Sequence, residues 1–178
     1  MSFSFLRRWV NRSTASTAEI ASNPSPPAGA EAQFLRGLSF ASGRGIAQDY
    51  VQPAQCYSEA AEQNHSSAEL HLALLCRQGQ GAARDEAKFL MWLTKAANQG
   101  NAAAQYWLGV QQYLVCRNSS KGATAEGRIE ALKWVRLSAA QAYRGAEGAC
   151  QFVALGMTRE EVAEGGRRAA AFAADSKV

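Results

Sequence analysis

The 178-residue sequence has few of the side chains and patterns on which enzyme active sites depend. It contains two histidines, His65 and His71, and no H-E-x-x-H, Gly-Lys-Ser/Thr or G-x-S-x-G pattern. Its GRG and GQG triplets lack the third glycine of a dinucleotide-binding fingerprint. No neighbour in the sequence identifies an activated cysteine or histidine nucleophile. The sequence therefore argues against catalysis and predicts no cofactor and no metal.

Paired cysteines are also missing, since the four cysteines are widely spaced and form no C-x-x-C pair. This spacing argues against a zinc ribbon and against a thioredoxin-like redox site. Free cysteines are commonly buried as small apolar side chains, which is the interpretation we favour, with disulfides as the alternative. The four residues are Cys56, Cys76, Cys116 and Cys150.

No apolar run approaches the roughly 20 residues that a membrane-spanning helix needs. The cluster of Phe3, Phe5 and Leu6 is too short and too interrupted for the apolar core of a secretory signal. We therefore expect a cytoplasmic protein.

The formal net charge is +4, and a cluster of arginines at the start of the chain supplies most of it. Because Arg7, Arg8 and Arg12 precede the first acidic residue, Glu19, the rest of the chain is close to neutral. Recognition of nucleic acid requires a clustered basic face. A nucleic-acid partner is therefore not expected.

Residues 1–30 differ from the remainder and are predicted to be a flexible segment and linker, since Ser, Thr, Ala and Pro dominate after residue 12. For the basic and aromatic start, three interpretations stay open: a disordered terminus, an organelle presequence, or an amphipathic anchor on a membrane surface or partner. The residues that would make the anchor's contacts are Phe3, Phe5, Leu6, Arg7, Arg8 and Trp9.

From residue 31 onward the sequence repeats itself with a period of 36, as the spacing of Ala32, Ala68 and Ala104 shows. The second halves of the repeats align as well, although six extra residues lie within 116–128 of the third. A period of this length is typical of helical repeat arrays. We predict one repeat domain over 31–178. It comprises repeats at about 32–67, 68–103 and 104–145 and a C-terminal cap at 146–174.

Each half of a repeat predicts a helix, because apolar residues recur at offsets of two to four without strand-like alternation. Glycine pairs should end the first helix, since glycine adopts the left-handed conformation of a tight turn; they are Gly43, Gly45, Gly79 and Gly81. Asp49 and Asp85 then stand where an N-cap would accept backbone N–H bonds.

The second helix should end at Asn64 and at Gly100 in the same left-handed conformation, whereas Ala142 is expected to end its helix differently. Thr158 and Glu161 form a capping-box pattern that predicts the start of a last helix. Because that helix contains two glycines, we expect it to need packing against the rest of the domain.

These motifs resemble the Sel1-like repeat family, a relative of the tetratricopeptide repeats. Phe34, Leu70 and Tyr106 fill the aromatic position of its pattern; Gly37, Ala73 and Gly109 fill the small position; Ala60-Ala61, Ala96-Ala97 and Ser138-Ala139 fill the paired small positions. The resemblance implies an all-α fold, a right-handed α-solenoid of antiparallel helix pairs. Arg36 and Cys56 replace the usual leucine and tryptophan, which predicts a looser first repeat. The last helix is similar to that of bacterial members.

The family implies an adaptor or scaffold, and three positions in each first helix are free of the family pattern. They are Leu35, Ser39 and Ser42; His71, Leu75 and Gln78; and Trp107, Gln111 and Leu114. Stacked repeats would align Leu35, His71 and Trp107, and an exposed aromatic side chain in a groove is a common anchor for a protein partner. Alternatively, Trp107 packs against the neighbouring repeat.

Three functions follow in order of preference. The first is a monomeric, non-enzymatic adaptor that binds a protein or peptide segment in this groove. The second is a scaffold of the envelope or of secretion, tethered to a membrane surface by residues 1–12. The third is an enzyme or small-ligand binder.

Overall fold

The computed structural model describes residues 29–42, 50–81, 83–118 and 124–175. These residues form eight α-helices and no strand, which confirms the all-α prediction. The helices are α1 (Ala30–Ala41), α2 (Val51–Glu62), α3 (Ser66–Gln78), α4 (Glu86–Asn98), α5 (Ala102–Asn118), α6 (Ala125–Ala140), α7 (Ala146–Ala154) and α8 (Arg159–Asp175). The chain divides into two compact units, Met1–Phe89 and Leu90–Val178, and the boundary falls within α4.

In the first unit, α1 packs on α2 and α2 packs on α3. Gly37 lies where α1 meets α2, and a Cβ atom at this position would lie 2.5 Å from a ring carbon of Tyr57. Ala60 and Ala61 of α2 are fully buried. The small residues of the repeat pattern therefore allow two helix backbones to approach closely.

In the second unit, α6 packs against α5, α7 and α8. Gly109 of α5 repeats the role of Gly37, since a Cβ atom there would lie 2.8 Å from the carbonyl oxygen of Ala131. Gly165 of α8 lies against Leu132, where an added Cβ would be 3.0 Å from Leu132 Cδ2. The last helix thus packs closely on α6 through a residue that by itself weakens a helix.

The turn between α3 and α4 has the predicted conformation. Gly79 and Gly81 have φ angles of 70° and 76°, in the left-handed region. Asp85 caps α4, because its Oδ1 accepts a hydrogen bond of 2.9 Å from the Lys88 amide. The corresponding prediction for Gly43, Gly45 and Asp49 lies outside the described residues.

The ends of α2 and α4 also match expectation, since Asn64 and Gly100 have φ angles of 60° and 86°. The expectation for α6 is wrong, because Ala142 also takes a left-handed conformation, with φ 55°. The Ala142 amide donates to Ala139 O at 2.8 Å and the next amide to Ser138 O at 3.2 Å, as at the two other turns. The same reversal is therefore made at Ala142 despite the cost of a Cβ atom.

The predicted capping box opens α8. The Thr158 amide donates to Glu161 Oε2 at 2.7 Å, and the Glu161 amide donates to Thr158 Oγ1 at 3.2 Å. Two backbone N–H groups at this helix start thereby gain side-chain acceptors, which confirms the predicted capping box.

Candidate functional site

The second unit contains a cleft of about 530 Å³ between α4, α5 and α6. Residues three or four positions apart lie on one face of a helix, and this spacing recurs among the lining residues of each helix. The lining residues are Leu90 and Thr94 of α4, Leu108, Gln111, Gln112, Val115 and Cys116 of α5, and Thr124, Glu126, Gly127 and Glu130 at the start of α6.

Large apolar side chains line the cleft and remain open to solvent. Val115 is 60% exposed and Leu90 is 36% exposed, whereas Leu108, which also lines the cleft, is buried. An exposed apolar patch in a concave surface is characteristic of an interaction site, because covering it removes apolar area from water.

A carboxamide supplies the cleft with hydrogen-bonding capacity. The Gln112 Oε1 atom is buried and has no hydrogen-bond partner among the described residues. A buried acceptor in this state costs about 1–3 kcal/mol relative to a satisfied one. A bound molecule that donates a hydrogen bond to Gln112 would remove this cost.

The acidic side chains of the cleft form ion pairs with an arginine from α8. Arg168 donates to both carboxylate oxygens of Glu126, at 2.5 and 3.1 Å, and to Glu130 at 2.8 Å. These hydrogen bonds from Arg168 hold the pKa of Glu126 below its usual range. The cleft is therefore suited to apolar contacts and neutral hydrogen bonds more than to a charged ligand.

All four cysteines are free, so no disulfide forms. Cys56 and Cys76 are buried, as predicted, and Cys116 and Cys150 are partly buried. Burial raises the pKa values of the Cys56, Cys76 and Cys150 thiols. A raised pKa disfavours the nucleophilic thiolate, so these three thiols are poorly suited to covalent catalysis.

One residue of the groove predicted from the sequence, Gln111, lines the cleft. Leu114 is 36% exposed but does not contribute to the lining. Trp107 is partly buried and makes an edge contact with the Tyr106 ring, at a centroid distance of 5.7 Å.

Two other groove residues occupy the interior of the first unit, which corrects the idea that they are free of packing. Leu75 is 8% exposed and His71 is 9% exposed. The His71 ring contacts the rings of Phe34 and Tyr57, each at 5.2 Å, and its Nδ1 lies 2.8 Å from Ser67 O. Burial lowers the pKa of His71 to about 4.

The remaining four positions also belong to the first unit. Gln78 is exposed, and the other three, Leu35, Ser39 and Ser42, are partly buried. The predicted alignment of Leu35, His71 and Trp107 involves both units and stays a prediction.

His65 lies in the turn before α3 and caps that helix. Its Nδ1 accepts a hydrogen bond from the Ala68 amide at 3.1 Å, and its Nε2 lies 2.7 Å from Glu31 Oε2. The N-terminal contact residues Phe3, Phe5, Leu6, Arg7, Arg8 and Trp9 lie outside the described residues.

Sequence reasoning missed most of the cleft. Leu90, Leu108 and Val115 fit the apolar periodicity of their helices equally well as core residues, so the pattern does not separate exposed positions from buried ones. Gln112 stands directly beside a predicted groove residue, and this adjacency was the only local signal for it.

The described residues show neither of two other common kinds of functional feature. They hold no group of three or more His, Cys, Asp or Glu side chains placed to bind a metal ion. None of the helices described above is both long and apolar enough to cross a bilayer.

No protein-family profile and no curated protein sequence matches the chain. Solved structures do match it. One is a protective antigen present in uropathogenic Escherichia coli strains that displays the Sel1-like repeat (SLR) fold, with 27% identity and a TM-score of 0.60. That match covers 93% of this chain, which spans about a third (33%) of the length of the antigen.

A second match is a Sel1 repeat protein from Oxalobacter formigenes, with 27% identity and a TM-score of 0.57. It covers 69% of this chain and 88% of the matched chain. Both matched proteins come from bacteria. The 36-residue repeat, the helix pairs and these two structures together support a Sel1-like repeat fold for this chain, which is similar to bacterial proteins of that family.

Proposed function

We propose that the protein is a non-catalytic interaction scaffold that binds a segment of another protein in the cleft of its second unit. The observation that carries this proposal is the open apolar lining, above all Val115 and Leu90. The volume of about 530 Å³ falls within the range of sites that enclose a ligand or several side chains. Sel1-like repeat folds are typically non-catalytic scaffolds, which agrees with this role.

The cleft offers a partner two kinds of contact. Apolar side chains of the partner would cover Leu90 and Val115, and each fully covered side chain contributes about 1–2 kcal/mol through apolar area removed from water. A hydrogen-bond donor of the partner would satisfy Gln112 Oε1. Because Arg168 already pairs with Glu126 and Glu130, we expect the binding affinity to depend weakly on salt.

No observation on the described residues favours the two alternatives, a membrane-tethered scaffold and a small-ligand binder or enzyme. The cytoplasmic location and the monomeric state stay expectations from the sequence.

The test compares two valines of nearly equal exposure. Val115 in the cleft is 60% exposed, and Val51 at the start of α2, outside the cleft lining, is 58% exposed. Full-length protein and its Val115→Glu and Val51→Glu variants would be used for affinity capture from a lysate of the source organism. We expect Val115→Glu to weaken partner binding about tenfold or more, because it places a charge in an apolar interface, and Val51→Glu to leave binding unchanged.

Circular dichroism would establish that both variants keep the helical content of the unmodified protein. A partner retained equally by both folded variants would contradict the assignment of the cleft. A capture that fails with all three proteins while other bait proteins succeed would argue against the scaffold function itself.

A further inference from the structure

His65 forms the N-terminal cap of α3 through one ring nitrogen and contacts α1 through the other. Its Nδ1 accepts the hydrogen bond of the Ala68 amide at 3.1 Å. An acceptor nitrogen carries no proton, so the ring proton of the neutral side chain lies on Nε2. Nε2 lies 2.7 Å from Glu31 Oε2 and donates to it. The two contacts together select one tautomer.

The His65 ring is held in place by packing while part of it remains open to water. It stacks on the Phe34 ring at a centroid distance of 4.8 Å and an interplanar angle of 30°. The side chain is 17% exposed, which is sufficient for exchange of a proton with solvent. The ring is therefore held in place by packing and also open to solvent.

The next repeat performs the same task with a side chain that does not titrate. Asn101 stands 36 residues after His65, and its Oδ1 accepts the amide of Ala104 at 3.0 Å, 36 residues after Ala68. The backbone turns match, since the amides of His65 and Asn101 donate to the carbonyls five residues before them at 3.2 and 3.1 Å. Asparagine is among the preferred N-caps and histidine is not.

We propose that His65 is an acid-released cap of α3, in which protonation at Nδ1 removes the hydrogen bond to Ala68 while the contact of Nε2 with Glu31 persists. The added proton comes from solvent and turns Nδ1 into a donor that faces the Ala68 N–H, another donor. Histidine is the type of side chain whose charge ordinarily changes between pH 5 and 8, so this range is the one to test. The first turn of α3 then frays while α1 keeps its ion pair.

Opposing charges surround the ring. Glu31 on α1 stabilises the protonated form, and the positive end of the α3 helix dipole opposes it. The other charged and titratable groups on the packed helices are Arg36 on α1; Cys56, Tyr57, Glu59 and Glu62 on α2; and Glu69, His71, Cys76 and Arg77 on α3. Of these, His71 acts on the same helix and takes up its proton at lower pH, because burial holds its pKa at about 4.

The test is amide hydrogen exchange by NMR on the full chain at pH 7.5 and pH 5.5. Both pH values lie above the pKa of His71, which burial lowers to about 4. In the first turn of a helix a backbone N–H has no intrahelical carbonyl, so the exchange of Ala68 reports the side-chain cap. We expect the protection factor of Ala68 to fall about fivefold in acid while that of Ala104 stays constant. In a His65→Asn variant, which carries the cap of the next repeat, both protection factors should stay constant.

Ring nitrogen chemical shifts of His65 provide a second measurement on the unmodified chain. We expect the proton on Nε2 at pH 7.5 and on both nitrogens at pH 5.5. The proposal is overturned if the protection factor of Ala68 in the unmodified chain is unchanged at pH 5.5. It is also overturned if Ala68 loses as much protection at pH 5.5 in His65→Asn, or if the neutral His65 ring carries its proton on Nδ1.

Discussion

The burial of His71 predicts that acid destabilises the protein through a single side chain. His71 lies on α3 with 9% of its surface exposed, in contact with the Phe34 and Tyr57 rings. Removal from water disfavours the charged imidazolium and lowers the pKa from 6.5 to about 4. The substitution His71→Phe keeps an aromatic ring in contact with Phe34 and Tyr57 and removes the titrating group.

The magnitude follows from the two pKa values. Each tenfold change in a protonation equilibrium corresponds to about 1.4 kcal/mol, so a pKa that falls from 6.5 to about 4 corresponds to about 3 kcal/mol of unfolding free energy. Below pH 6.5 the unfolded chain binds a proton at this residue and the folded chain does not. The contribution is therefore complete above pH 6.5, is lost as the pH falls towards 4, and changes no further below that value.

Urea denaturation followed by circular dichroism at pH 7.5, 6.5, 5.5 and 4.0 would measure the effect. All other titratable groups are common to both proteins, so the informative quantity is the difference in unfolding free energy between unmodified protein and His71→Phe at each pH. We expect the unmodified protein to lose about 3 kcal/mol more than the variant between pH 7.5 and 4.0. An equal loss of unfolding free energy in the two proteins would contradict this prediction. An NMR titration of the His71 ring with a midpoint near 6.5 would contradict it as well.

Two further predictions concern backbone geometry, and urea denaturation at neutral pH checks both. Ala142→Gly should raise the unfolding free energy by about 1 kcal/mol, because glycine takes the left-handed conformation without a Cβ clash. Gly100→Ala at the equivalent turn should lower the unfolding free energy by a similar amount. The prediction fails if both substitutions change stability in the same direction. Gly109→Ala should lower the unfolding free energy by about 1–3 kcal/mol, since its Cβ would lie 2.8 Å from Ala131 O. Gly148→Ala, whose Cβ would meet no atom within 4 Å, should instead stabilise α7 by up to about 1 kcal/mol. A Gly109→Ala variant of unchanged stability would show that the helices can separate at low cost.

Much of the helical architecture was predictable because its signals are local. The capping box of Thr158 and Glu161 and the cap at Asp85 depend on residues three positions apart, and the structure confirms both. Ala142 was mispredicted for the opposite reason. Its intrinsic preference disfavours a left-handed turn, but the packing of α6 and the hydrogen bond of Ala142 N to Ala139 O impose one.

The candidate site was largely beyond prediction. Periodicity along one helix shows which residues share a face, and it does not show whether a neighbouring helix covers that face. His71 and Leu75 were therefore assigned to a groove although α3 presents them to the interior. Gln111 lines the cleft, and its role in binding stays a prediction.

The sequence predicts the helix pairs, most of the described helix ends and the resemblance to the Sel1-like repeat family, because a 36-residue period and small residues at helix crossings leave few other ways to bury the apolar faces. The exposure of Leu90 and Val115, the ion pair of Arg168 with Glu126, and the contact of His65 with Glu31 of α1 while it caps α3 depend on the tertiary structure. The physical reason is that exposure and ion pairing depend on residues far apart in the chain, such as Glu126 and Arg168, 42 positions apart. A local sequence pattern does not show which residues distant in the chain come into contact.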